Sequence, residues 1–113
     1  MAESCIFCRI ARGEIPAQML VNNKEIAAFR DVNPQAPVHI LIIPKKHVAS
    51  LDDAADSDLL GRMTSLAAAL ARQEKISRSG YRTVINTGAH GGQSVDHLHI
   101  HLLGGRAMSW PPG

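Results

Sequence analysis

The sequence predicts an α+β fold built on a five-stranded, mainly antiparallel sheet with one short and one long helix. Five β-prone runs are separated by turn signals, and apolar residues recur at helical spacing between positions 56 and 77. The helical segments are grouped rather than alternating one for one with the strands, which disfavours a parallel α/β sheet. A length of 113 residues suits one compact domain, 1–113, with 104–113 an irregular C-terminal tail around Trp110-Pro111-Pro112.

Ser4 can cap a short helix over residues 4–12, where Ile6, Phe7 and Ile10 fall on one face and Gly13 and Pro16 end it. Residues 19–21 and 25–29 flank Asn22-Asn23-Lys24 and read as a β-hairpin. Pro34 and Pro37 bracket a loop. The run 38–43 is almost continuously apolar, broken by His39 and closed by Pro44, as expected of a central strand covered on both faces. Leu59, Leu60, Met63, Leu66, Leu70 and Ala71 then mark the long helix, with Asp56 or Ser57 as its cap and its end near Ser77. Residues 81–87 and 96–103 are the last two strands, joined by the glycine-rich loop 88–94.

Composition excludes several classes. Apolar residues make up 45% and charged residues 19%, far from the low-hydrophobicity, high-charge range of disordered chains. The net charge is +2 and the only adjacent lysines are Lys45-Lys46, so no basic stripe points to a nucleic-acid polymer. No apolar run approaches the ~18 residues of a membrane span, and Met1-Ala2-Glu3-Ser4 lacks the features of a signal peptide, so a cytoplasmic protein without a membrane partner is expected. In a reducing compartment, Cys5 and Cys8 read as metal ligands, redox thiols or buried free thiols rather than a structural disulfide.

The richest segment is His97-Leu98-His99-Ile100-His101-Leu102-Leu103. On a strand, period two sends Leu98, Ile100 and Leu102 into the core and lines three imidazoles along one surface at steps of roughly 6.5–7 Å. A solvated face would have little reason to prefer histidine over Thr, Tyr or Val. A metal site is a second reading, although ~7 Å steps are long for three ligands of one ion held at ~2 Å each. Chemistry is the third, since near neutral pH one imidazole can be a nucleophile while its neighbour donates a proton.

The pattern His-φ-His-φ-His-φ-φ, with φ apolar, resembles the signature of the histidine triad superfamily. Further resemblance to its Hint branch, the histidine triad nucleotide-binding proteins, is spread over nearly the whole chain. It is carried by Cys5-Ile6-Phe7-Cys8, Gly13-Glu14-Ile15-Pro16, Asp31, Pro34-Gln35-Ala36-Pro37, His39, Pro44-Lys45-Lys46-His47, Asn86, Gly91-Gly92-Gln93-Ser94 and Trp110-Pro111-Pro112-Gly113.

The resemblance implies a purine nucleoside phosphoramidase working through a covalent nucleotidyl-histidine on His99. It assigns His101 to the phosphate and the leaving amine, a task expected to need a raised imidazole pKa beside an anion. It assigns Ser94 and Asn86 to phosphate hydrogen bonds, and Gly92 and Gln93 to a backbone cradle. Asp31 would hold the ribose, while Ile6, Phe7, Ile10, Phe29 and Val32 would form the purine pocket. His39 would stand beside the catalytic histidines in an orienting or electrostatic role. Cys5, Cys8, His47 and His97 would be the ligands of a structural zinc, with no cofactor needed for catalysis. The implied partners are AMP or GMP conjugates and a second copy, two sheets joining into ten strands with the tail near the partner's site. Dinucleoside polyphosphate hydrolysis, or a nucleotide- or zinc-binding interaction module with little turnover, are the alternatives.

Overall fold

The computed structural model describes residues 4–113. Met1, Ala2 and Glu3, read above for the lack of a leader segment, lie outside the described residues. Five antiparallel strands form one sheet in the order β1-β2-β3-β5-β4: β1 Met19–Asn22, β2 Ile26–Arg30, β3 Val38–Pro44, β4 Tyr81–Val84 and β5 Ile100–Gly104. The helices are α1 Ile6–Ala11, α2 Ser57–Gln73 and the single turn α3 Gly88–Gly91, with a 3₁₀ turn at Leu51–Asp53.

Alternation along the strands creates two unequal cores. Ile26 and Ala28 of β2, Ile40 and Ile42 of β3, and Ile100 and Leu102 of β5 face α2, packing on Met63, Ala67, Leu70 and Ala71. The other face presents Ala27, Phe29, Leu41 and Ile43 to Phe7 and Ile10 of α1. The central strand is therefore covered on both sides, as its unbroken apolar run predicted. The six residues of α1 cannot shield the second face as the seventeen of α2 shield the first. The sheet consequently keeps an open hollow beside α1.

Local chemistry sets the boundaries. Asp56 caps α2, its carboxylate accepting the Leu59 N–H at 3.1 Å. The helix stops at Gln73, earlier than expected, because Lys75 takes a positive φ of 63° and turns Ile76 back into the core. The cap of α1 is Cys5 rather than Ser4, its Sγ accepting the Cys8 N–H at 3.4 Å.

The first hairpin differs little from expectation, although Glu25 belongs to its turn, where Asn23 Oδ1 accepts the N–H groups of Glu25 and Ile26. β4 ends at Val84, short of the expected residue 87, and the expected loop 88–94 contains α3, closed by Gly92 at φ 80°. The last strand begins at Ile100, not at residue 96, and runs one residue into the expected tail, through Gly104. No helix among the described residues is long and apolar enough to cross a membrane.

Met63 is fully buried at the centre of the α2 core. Met63→Ala is expected to destabilise the fold by about 2–5 kcal/mol, seen as a lower urea midpoint at an unchanged m value.

Candidate active site

Beyond Ile100 the ladder with β3 ends, yet the alternation persists: Leu98 still enters the α2 core while His97 and His99 turn to the α1 face. The histidines do not form a surface ridge. His97 is 0% and His99 3% exposed, and the His99 and His101 ring centroids stand 4.9 Å apart, closer than flat-strand spacing suggests.

Backbone groups set the tautomers. His99 Nδ1 lies 2.7 Å from the carbonyl oxygen of His97. A carbonyl only accepts, so Nδ1 carries the proton and Nε2 keeps its lone pair. A longer chain fixes His101. The Gln35 N–H donates to His39 Nδ1 at 3.0 Å, which leaves the His39 proton on Nε2. That N–H faces His101 Nδ1 at 2.9 Å, with Asp31 Oδ2 at 3.4 Å from the same nitrogen. His101 Nδ1 is thus an acceptor, and the ring proton sits on Nε2. The two neighbouring rings hold opposite roles: an Nε2 lone pair on His99 and an Nε2–H on His101.

Burial pushes the His101 pKa down to about 4, helped by His99 and His39 and opposed by Asp31. His39 is lowered by burial as well, against the pull of Asp31. In the protein alone the His101 imidazole is therefore kept neutral by desolvation; the raised pKa expected above belongs to the ring beside an anion.

Both rings open onto a cavity of about 430 Å³. Ile6, Phe7, Ile10, Phe29, Asp31, Val32 and Ser94 line it, as the sequence reading proposed, together with Ile15, Pro16, Ala17, Arg30, Leu41 and Val95, which it missed. Leu41 was recoverable from the period-two pattern of β3; Pro16 and Arg30 carry no such signal. Val32 is 95% exposed, an apolar side chain standing free at the cavity edge. Phe7 sets its ring edge-on to His99, centroids 5.1 Å apart. Arg30, the one Lys or Arg among the described lining residues, is held by Glu74 at 2.9 and 3.0 Å.

Four residues assigned from the sequence to catalysis or nucleotide binding do not line the cavity. His39 sits behind His101 and reaches the site only through it. Asn86 and Gly92 are in the loop preceding Ser94. Gln93 braces that loop with its side chain, donating to the carbonyls of Ala49 and Val95 at 2.7 and 3.0 Å and accepting the Gly88 N–H at 3.0 Å.

Cys5, Cys8, His47 and His97 meet beneath the site, their ligand atoms all within 4.8 Å of one another. Cys5 Sγ and Cys8 Sγ lie 3.3 and 3.5 Å from His97 Nδ1, and Cys8 Sγ lies 3.2 Å from His47 Nδ1. A tetrahedral zinc, with Zn–S about 2.3 Å and Zn–N about 2.0 Å, keeps its ligands roughly 3.3–3.8 Å apart, so these residues fit one. The Pro44 carbonyl accepts from His97 Nε2 at 2.8 Å, which leaves the Nδ1 lone pair turned to the thiols. Burial and the neighbouring Cys5 raise the Cys8 thiol to about 11, so a cation is what would make Cys8 a thiolate.

Comparison with known proteins agrees with this geometry. Residues 12–108 match the HIT domain family. The purine nucleoside phosphoramidase of Escherichia coli is 49% identical over 110 residues, covering 96% of this chain and 92% of that protein. The crystal structure of a HIT family hydrolase from Legionella pneumophila superposes with a TM-score of 0.94 at 54% identity, covering 97% of this chain and all of the other. A zinc-bound histidine triad family protein from Mycobacterium smegmatis gives a TM-score of 0.82 at 29% identity, covering 94% and 78% of the two chains. With His99 and His101 on the cavity wall and a family match over most of its length, the chain belongs to the HIT domain family.

Proposed function

We propose that the protein is a hydrolase that cleaves the P–N bond of purine nucleoside 5′-monophosphoramidates through a nucleotidyl-histidine. The observation that carries this reading is the pairing of a His99 Nε2 lone pair with a His101 N–H on one cavity wall. The likeness to the Escherichia coli phosphoramidase supports the substrate class.

In the first step His99 Nε2 attacks the α-phosphorus, a P–N bond to His99 forms, and the bond to the leaving nitrogen breaks. The leaving nitrogen must gain a proton, and His101 is the donor. A phosphate charge beside its ring opposes the burial that keeps it neutral and favours the imidazolium from which that proton is drawn; in that form Nδ1 is protonated too, and the His39 Nε2–H turns from it to Asp31 Oδ2, 3.4 Å away. Water then attacks phosphorus, the P–N bond to His99 breaks, and the water's proton passes to the His101 left neutral by the first step, releasing the nucleoside monophosphate and restoring both histidines. His39 is a positioning residue, holding His101 with Nε2 toward the substrate. Ser94 offers a hydroxyl to the phosphate, with Asn86 in the preceding loop; the Gly92 and Gln93 N–H groups, expected from the sequence to cradle oxygens, instead donate to the Ala89 and Gly88 carbonyls and hold that loop. Asp31 accepts from the ribose, and Ile6, Phe7, Ile10, Phe29 and Val32 enclose the base. The volume of about 430 Å³ is in the range of nucleotide-sized pockets.

Charge favours a single phosphate over a polyphosphate. The only cationic side chain among the described lining residues is already paired with Glu74, and Asp31 adds a negative charge. A departing amine becomes neutral as it takes a proton, whereas a departing nucleotide would leave as an anion that nothing here neutralises. The metal cluster takes no part in the bond changes; a bound zinc would supply orientation and stability. A homodimer is also proposed. β4 pairs with β5 alone among the described strands, so its outer edge is open to a second sheet. Trp110, 81% exposed in the tail beside Arg82, would then lie near the partner's cavity.

His99→Ala is expected to abolish phosphoramidate hydrolysis while nucleotide affinity stays within a few-fold, and mass spectrometry of wild-type protein after a rapid acid-free quench should find a nucleoside monophosphate on His99. Turnover retained in the variant rejects the reading. Sedimentation equilibrium should return twice the chain mass of 12.2 kDa; a monomer rejects the joined sheet. The buried neutral His101 also predicts acid sensitivity. Its pKa is about 4 when folded against 6.5 ordinarily, so between those values the unfolded chain binds more protons. The melting temperature should therefore fall as pH drops from about 6.5 toward 4, with a shallower fall in His101→Gln.

A further inference from the structure

The carbonyl that fixes the His99 tautomer belongs to His97, and the β-ladder does not hold it. The last register pair between β3 and β5 is Ile42 with Ile100, so residues 97–99 stand outside the ladder. Their main chain is held by two bonds, His97 N–H to the Val95 carbonyl at 2.8 Å and Leu98 N–H to the Val48 carbonyl at 2.7 Å. The Leu98 side chain is anchored in the α2 core, and on the opposite face the His97 ring is clasped between the Pro44 carbonyl and the two thiols. The same cluster anchors α1, where Phe7, one residue before Cys8, sets its ring against both His97 and His99, with centroids 5.9 and 5.1 Å away. Three segments that position the nucleophile thus converge on one ligand set: the start of α1, the stretch after β3 carrying His47, and the stretch before β5.

We propose that zinc held by Cys5, Cys8, His47 and His97 is a positioning device for His99, locking the His97 carbonyl and Phe7 so that the His99 ring keeps its proton on Nδ1. The proposal rests on the reading of His99 as nucleophile for its kinetic consequence, though not for the tautomer itself. A six-residue helix and a run without strand partners have little rigidity of their own, and a closed four-ligand site supplies it. Loss of the metal leaves the α2 core intact, because none of its residues is a ligand.

The test compares zinc-loaded protein with the same protein stripped by a chelator, and adds His47→Gln, which removes the ligand at the rim of the cluster. Nitrogen-15 NMR of the imidazoles should show a single Nδ1–H tautomer for His99 in the loaded form. In the stripped form and in His47→Gln it should show a mixture of tautomers, with far-ultraviolet circular dichroism unchanged. Turnover of a phosphoramidate should fall about ten- to hundredfold in kcat in those two forms, the usual cost of losing an outer support. A tautomer change without turnover in any form supports the positioning device and rejects the phosphoramidase reading instead. No zinc uptake, identical His99 resonances with and without zinc, or global unfolding of both metal-poor forms overturns the proposal.

Discussion

The hydrogen bond of His99 Nδ1 to the His97 carbonyl, 2.7 Å long, is the interaction on which the rest of the site depends. A neutral imidazole has one lone pair and one N–H, so occupying one nitrogen from behind decides what the other presents. A main-chain carbonyl cannot exchange roles as a side chain can. The Gln35 N–H does the complementary job for His39 and, through it, for His101. Opposite tautomers on adjacent rings therefore follow from one backbone acceptor and one backbone donor.

Burial makes that arrangement durable and also costs something. In water either ring could rotate or take a second proton, but His97 and His99 are almost fully enclosed, and charging His97 or His101 means desolvating the charge. The protein alone is thus biased to neutral imidazoles. A bound anionic phosphate would reverse the bias at His101, the ring whose lowered pKa a neighbouring negative charge most directly relieves. Proton donation would then be coupled to occupancy of the cavity.

Much of this was legible in the sequence, for reasons that differ by residue. The alternation through Leu98, Ile100 and Leu102 revealed which side chains share a face, because period two survives even where the ladder stops. The end of the ladder itself was not legible, since it depends on where β3 turns away at Pro44 rather than on residues 96–99. The Cys-x-x-Cys spacing allowed metal, redox or free thiols, and only the approach of His47 and His97 shows that one cation fits. Gln93 misled because its backbone N–H is spent on the Gly88 carbonyl and its side chain braces the loop against Ala49 and Val95, bonds that no local pattern announces. His39 was visible as a polar break in an apolar strand; its part in orienting His101 depends on Gln35 four residues earlier and a register with β5.

The unequal cores explain why the cavity lies where it does. On the α2 side a long amphipathic helix covers the sheet with aliphatic side chains, and the hollows there lie along the helix margins, away from His99 and His101. On the α1 side a six-residue helix spans only about 9 Å, too short to cover three strands. A helix of that length has little intrinsic stability, so it must be fastened by tertiary contacts. Its two cysteines reach His47 and His97, while Phe7 and Ile10 pack on Phe29 and Leu41. The fastening sits at the start of the helix, so the wall is held most tightly beside His99 and the hollow opens away from it toward Val32 and Pro16. A short helix pinned at its N-terminal end leaves room for a ligand and keeps the His99 ring in a fixed place beside it.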